Sequence, residues 1–308
     1  MPCGPAEGAE GAEGGERLAV VIDPLDGVNN ADAGVSIGTI FGIYRVDGGL
    51  QEGDSSLPHV LRRGEELVAA GYAMFGVATQ MVVSCGQGVD GFTLQPELQR
   101  FMLTRPQLQM PLRGRVVSVN LRHAKGWDAA VAEYVTQLTE ARTLRYIGTL
   151  VADLHRTLLY GGVFLYPGSR KRPHGKLKLL FEAAPMAYLM EQAGGGASDG
   201  AERLLSLTPT SLSQCTSACF GSLHDVNGYI VACGGTPPTD GGVSPATSMR
   251  GLSVSGDTSP PVDYGVRSSC ASLSCLSSRS RSPRSRSPCE TCDATPCADG
   301  CPSRGGDI

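Results

Sequence analysis

The sequence predicts a mixed α/β body over residues 17–235, with a segment lacking a core on either side. Three observations predict it. Short apolar runs alternate along the chain with stretches of helical spacing. Apolar residues make up 41% of the 308, enough to build a sizeable core. Composition also shifts abruptly at both ends. Residues 1–16 repeat Gly, Ala and Glu, and residues 236–308 are dominated by Ser, Pro, Gly, Cys and Arg. Neither composition buries enough apolar surface to fold, so both predict disorder.

Leu18–Ile22 is a continuous apolar run and predicts a buried strand. It ends on Asp23, and Asp26 follows after Pro24 and Leu25; proline fixes φ and lacks an N–H, so a rigid turn is expected there. Val35–Tyr44 predicts a second strand. Leu67–Phe75 predicts a helix leading into a strand at Ala78–Val83. Gly91–Leu94 and Phe101–Thr104 predict a hairpin around QPELQR. Trp127–Leu138 and Thr149–Tyr160 carry apolar residues at helical spacing. Gly162–Tyr166 and Lys176–Phe181 predict strands. Ala184–Ala193 predicts a helix opened by Pro185 and closed by Gly194–Gly196, and Leu204–Leu207 predicts a late strand.

The formal charge of −4 argues against nucleic-acid or membrane-surface binding by the chain as a whole. No apolar run is long enough to cross a bilayer. The N-terminus is acidic (Glu7, Glu10, Glu13, Glu16), so neither a secretory signal nor an organelle transit peptide is visible. Of eleven cysteines, only Cys3 and Cys85 precede Cys215, and six lie between Cys270 and Cys301. The body therefore reads as a reduced, intracellular protein. Ser278–Ser287 (SRSRSPRSRS) resembles the arms of splicing factors, and any nucleic-acid contact is expected only there. Otherwise it reads as a solvated extension. Cys289, Cys292, Cys297 and Cys301 include one pair at zinc spacing but no accompanying core, so no zinc site is expected.

Two carboxylates as close as Asp23 and Asp26 repel unless a cation lies between them. Hard oxygen ligands suit Mg²⁺ or Mn²⁺, and Gly27 would let a phosphate approach the backbone N–H groups that follow. A surface Asx-type turn fits the same residues. Glu182, between a predicted strand and a predicted helix, reads alone as a partner for the helix dipole. His155 reads as a packing histidine, Cys85 as a buried apolar side chain and Trp127 as core.

Four long blocks add to this reading. They are DPLDGVNNADAGVSIGTIFGIYR (Asp23–Arg45), LVAAGYAMFGVAT (Leu67–Thr79), RYIGTLVADLHRTLLYGGVFLYP (Arg145–Pro167) and GKLKLLFEAAPMAYLMEQAGG (Gly175–Gly195). With them the chain resembles fructose-1,6-bisphosphatase from Leu18 to about Val226. The resemblance implies a layered sugar-phosphatase fold and Mg²⁺-dependent hydrolysis of fructose 1,6-bisphosphate in carbohydrate metabolism. It implies that Asp23, Asp26, Glu182 and the carbonyl of Leu25 hold metal, and that Gly27 and Val28 meet the 1-phosphate. Asn120, His123, Tyr146 and Tyr166 would bind the 6-phosphate, with Arg145 reaching in from a neighbouring subunit of a dimer or tetramer, and Lys176 would contact sugar and phosphate. His123 stands where the family usually has Tyr. No cysteine-bearing insert follows GTIFGIY, which favours a cytoplasmic location. Only 22 residues precede Asp23, so the family's long N-terminal region, with its effector site and a further pair of metal-binding acids, is expected to be missing. A catalytically impaired paralogue or truncated subunit that binds sugar phosphates, and a sedoheptulose-1,7-bisphosphatase, are the alternatives.

Overall fold

The computed structural model describes residues 17–46 and 57–238. The expectations for residues 1–16, for the Ser/Arg segment and for the cysteines from Cys270 onward lie outside the described residues.

The first half is a six-stranded antiparallel meander in chain order: β1 (Arg17–Asp26), β2 (Ile37–Val46), β3 (Leu67–Phe75), β4 (Gln80–Ser84), β5 (Asp90–Gln95) and β6 (Arg100–Arg105). Two one-turn helices, α1 (Val28–Ala31) and α2 (Leu57–Val60), lie between its first three strands. The second sheet has the order β11-β13-β9-β7-β8, from β7 (Val116–Val119), β8 (Thr143–Leu144), β9 (Val163–Tyr166), β11 (Gly196–Ser198) and β13 (Ala218–Gly221). In it β7 runs parallel to β8 and β9, whereas β13 is antiparallel to β9 and β11. A small ladder joins β10 (Leu177–Lys178) to β12 (Cys215–Thr216).

Helices α4 (Leu150–Tyr160) and α5 (Ala184–Gln192) touch strands of both sheets and form the layer between them. The sequence of α5 explains its place: Ala184 to Met190 are all buried, and a helix apolar all round has no face to offer water. Ile40, Tyr72, Leu154, Leu180, Leu189 and Phe220 close this shared core. Helices α3 (Ala129–Ala141) and α6 (Leu223–Ala232) pack on each other, and α6 lies on β11 and β13. Trp127, Val131, Val135, Leu165 and Tyr229 make a second core there.

Several expectations need correction. Leu18–Ile22 is a strand, but it forms the edge of the first sheet and only Val21 is buried; Leu18, Val20 and Ile22 are 54%, 58% and 51% exposed. They share the outward face of the sheet with Phe41, Ile43, Phe92 and Leu103. Leu67–Phe75 is a strand rather than a helix, because it is paired on both sides, to β2 and to β4. Lys176–Phe181 is extended only at Leu177–Lys178; from Leu179 to Ala183 the chain coils into a widened π turn that runs into α5. Leu204–Ser206 is a 3₁₀ turn rather than a strand. Cys85 is exposed. His155 is buried with its Nδ1 2.7 Å from the Tyr72 hydroxyl, and burial drives its imidazole down to about 4, so it is a neutral packing group. Trp127 is core.

Candidate active site

A β-bulge aims the two aspartates. Asp23 pairs with Ile40 and Asp26 with Gly38, so three steps on β1 oppose two on β2. In an unbroken strand, residues three apart face opposite sides. The one extra residue restores the parity, and both carboxylates sit opposite residues of the sheet's inner face. The Pro24–Leu25 segment is thus a bulge within the strand, where the sequence predicts a rigid turn that ends it. Asp23 Oδ1 accepts from the Leu25 N–H at 3.2 Å. Asp26 Oδ2 accepts from the Val151 N–H at 2.7 Å, in the first turn of α4.

Gly27 follows in the left-handed region at φ +85°, where a Cβ would lie 2.4 Å from Thr149 Oγ1. Only glycine fits so close to a neighbouring side chain at that backbone angle. Asn30 then donates to Thr149 Oγ1 at 2.6 Å and to the Ile147 carbonyl at 3.3 Å, which ties the turn to the 145–149 segment. Asp153, fully buried in α4, accepts from the N–H groups of Ile147 and Gly148 and from Arg156 Nη2 at 2.6 Å. Its carboxylate sets the path of the Tyr146 loop. Glu182 sits in the π turn and accepts the Lys178 N–H at 2.8 Å.

These pieces enclose a cavity of about 500 Å³ whose wall includes Asp26, Glu182, Tyr146, Tyr166, Lys176 and Arg172. Asn120 lies beside Tyr146, and the His123 ring lies 6.2 Å from that of Tyr166. Asp23, Leu25, Gly27, Val28, Asn120, His123 and Arg145 are not in the wall; Arg145 Nη1 donates to the Leu144 carbonyl. Among the described residues no three acid, imidazole or thiol groups converge on one ion position. Asp26 and Glu182 share the cavity wall, and Asp23, outside that wall, is near enough for its charge to bear on both.

Burial pushes the Asp26 carboxyl up to about 6, with the charges of Asp23 and Asp153 adding to the rise. Burial likewise pushes Glu182 up to about 7, with Asp23 and Asp26 adding and Lys176 opposing. Asp23 is raised less, again by burial. Desolvated carboxylates that repel one another are stabilised by a hard cation, so the donor chemistry of Asp26 and Glu182 fits one. The sign of the pH effect follows. Both acids lie higher in the folded chain than in the unfolded one, so the unfolded chain loses these protons first and stability falls as pH rises through the interval. Without divalent cations the thermal midpoint is expected to drop from about pH 4.5 to about pH 7.5, and saturating divalent cation to restore it at the upper end. A midpoint flat across that range would contradict the assignment.

Sequence reading missed Arg172, Cys215 and the Asp153 network. For Arg172 a signal was available: the basic run SRKRPHGK begins three residues after Tyr166. None of the described helices is long and apolar enough to cross a membrane.

The model for the fructose-1,6-bisphosphatase N-terminal domain matches residues 9–106 and that for the C-terminal domain matches residues 110–233. The boundary falls between the two sheets. The chain is 49% identical over 216 residues to the cytosolic fructose-1,6-bisphosphatase of Spinacia oleracea and 48% to that of Solanum tuberosum. The matches cover 68% of this chain and 62% and 63% of those relatives, so the chain spans less than two thirds of their length. Among solved structures, Leishmania major fructose-1,6-bisphosphatase in the T-state superposes with a TM-score of 0.67 at 40% identity, covering 70% of each chain. Its holo form gives 0.67 at 41%, covering 70% of this chain and 68% of that one. The sheets, the bulged aspartates and the four sequence blocks come together in one assignment: the chain belongs to the fructose-1,6-bisphosphatase family.

Proposed function

We propose that this cavity hydrolyses the 1-phosphate of fructose 1,6-bisphosphate, in the cytoplasm, within carbohydrate metabolism and gluconeogenesis. One observation carries the reading: Asp26 and Glu182 open onto the same cavity as Tyr146, Tyr166 and Lys176. Acids that gather a cation thereby share a wall with phenols and a cation that bind phosphate. The volume of about 500 Å³ is in the range of small-molecule sites.

The family is metal-dependent, and Mg²⁺, with Mn²⁺ as substitute, is the ion that oxygen donors of this kind select. Asp26, Glu182, the Leu25 carbonyl and, after a local shift, Asp23 would hold it. When bound it supplies charge neutralisation for the leaving phosphoryl group. The chain's own groups do the rest. The N–H groups of Gly27 and Val28 bind phosphoryl oxygens. Glu182, besides completing the metal site, would touch the sugar. Tyr146, Tyr166, Asn120 and His123 orient the distal phosphate, and Lys176 contacts the sugar. A homo-oligomer, dimer or tetramer, with Arg145 contributed across the interface, completes the proposal. Residues 17–235 form the catalytic region.

Purified chain with Mg²⁺ is expected to release phosphate from fructose 1,6-bisphosphate faster than from sedoheptulose 1,7-bisphosphate. Equal rates, or a preference for the heptulose, would count against the fructose assignment. A second reading, a subunit that binds sugar phosphates without turnover, is favoured by one observation: among the described residues only two carboxylates line the cavity. It predicts saturable binding of fructose 6-phosphate with no phosphate release.

His123 offers a narrower test. His123→Tyr restores the phenol hydroxyl that the family usually places there and is expected to lower KM for fructose 1,6-bisphosphate. An unchanged KM in the variant would argue against contact with the phosphate.

A further inference from the structure

We propose that Arg172 binds the distal phosphate of the sugar from within the same chain, and so sets the preference of the cavity for doubly phosphorylated substrates. The proposal rests on the reading of the cavity as a sugar-phosphate site. It goes beyond that reading because the family resemblance assigns Arg172 no role.

The loop between β9 and β10, PGSRKRPHG, is folded tightly. Ser169 and Arg172 exchange backbone hydrogen bonds of 2.9 Å in both directions, and the Gly175 N–H donates to the Arg172 carbonyl at 3.0 Å. Gly168 lies so close to the Pro173 carbonyl that a Cβ would stand 2.2 Å from its oxygen. The backbone of Arg172 is therefore held on both sides. Its side chain lies beside the Tyr166 phenol, whose pKa burial raises and the Arg172 charge lowers, and forms part of the cavity wall.

The neighbouring cations do not share this position. Arg170 lines a separate hollow with Asp128, Asp199 and Cys233, and Lys171 and His174 line neither. Among the described residues no carboxylate stands within ion-pair distance of Arg172. Of the other two cations of the wall, Lys176 bears on the charge of Glu182 and Lys178 Nζ donates to the Ser213 carbonyl at 3.1 Å, whereas Arg172 does neither. The cavity thus holds a guanidinium with no acid partner beside a phenol hydroxyl. A planar fork of donors next to a hydroxyl recognises a phosphate dianion. Arg145, the cation expected for this role, is expected from a neighbouring subunit, whereas Arg172 lines the cavity of its own chain.

The test is calorimetric titration of the full chain and three variants with fructose 6-phosphate and with fructose 1-phosphate, with Mg²⁺ present. Arg172→Ala is expected to weaken fructose 6-phosphate binding by about 10- to 100-fold, the usual size of a charged hydrogen bond. Fructose 1-phosphate affinity is expected to stay within about twofold, and Arg172→Lys to recover part of the loss, because a point charge replaces the fork. Arg170→Ala, in the same loop but facing the other hollow, is expected to match the parent chain. If Arg172→Ala binds fructose 6-phosphate as tightly as the parent, Arg172 is not the phosphate ligand and the sugar-phosphate site stands. If both affinities fall equally, the arginine merely supports the loop and the proposal is overturned. If the parent chain binds neither sugar phosphate, the proposal falls together with the reading of the cavity.

Discussion

Asp26→Asn is expected to lower phosphate release from fructose 1,6-bisphosphate by about 10³-fold, in line with the loss of one charged group aimed at a reacting centre. The substitution preserves shape and an acceptor for the Val151 N–H, now 2.7 Å from Oδ2. It removes the charge that a divalent cation would meet in the cavity. The effect on stability should run the other way. Burial already pushes the Asp26 carboxyl up to about 6, so at neutral pH the folded chain keeps an unfavourable buried charge that an amide does not carry. The variant is expected to melt at or above the parent temperature in cation-free buffer and to lose the stabilisation that added Mg²⁺ gives. Parallel turnover assays and melting curves, with and without Mg²⁺, check both halves. Activity within tenfold of the parent would place the reaction elsewhere.

The largest loss of stability is expected at Asp153. Asp153→Ala removes a fully buried carboxylate that accepts from two backbone N–H groups and from Arg156. What remains is a partly buried guanidinium that keeps only the Arg145 carbonyl, with its Nε already unpartnered, and two N–H groups without acceptors. Breaking a buried pair from one side costs about 3–5 kcal/mol. A drop of that size in urea unfolding is expected. Because Ile147 and Gly148 lose their tether, Tyr146 loses its place in the cavity wall, so surviving protein should bind fructose 6-phosphate more weakly. Asp153→Asn keeps acceptors for part of the network and is expected to cost less. Unfolding midpoints for the two variants that coincide with the parent would show that the carboxylate does not hold this loop.

Much of the architecture was legible in the sequence where local pattern and tertiary pairing agree. The helices at Ala129–Ala141, Leu150–Tyr160 and Ala184–Gln192 announced themselves by spacing and by Pro185. The hairpin around Pro96–Gln99 did so by its flanking runs. Leu67–Phe75 misled because LVAAGYAMF has good helix formers, and only its two strand partners decide its state. Burial of β1 could not be read at all, because an apolar run looks the same at the centre of a sheet and at its edge. At the site, the pairing of Asp26 with Glu182 was visible through the family blocks. The bulge that turns Asp23 and Asp26 to one side depends on the register with Ile40 and Gly38, which spacing alone does not contain. Arg172 was missed because a basic run reads as solvated surface until the loop is seen folded against Tyr166.

The outward face of the first sheet has a practical corollary. Leu18, Val20, Ile22 and Leu103 each leave half or more of their area in water, the first three on the strand that ends the sheet among the described residues. Sulfate and other strongly excluded salts sharpen the penalty for such wetting, so this chain should salt out early. Mild non-ionic detergent, by wetting the leucines and isoleucine in place of a neighbouring molecule, should keep it dispersed on a sizing column.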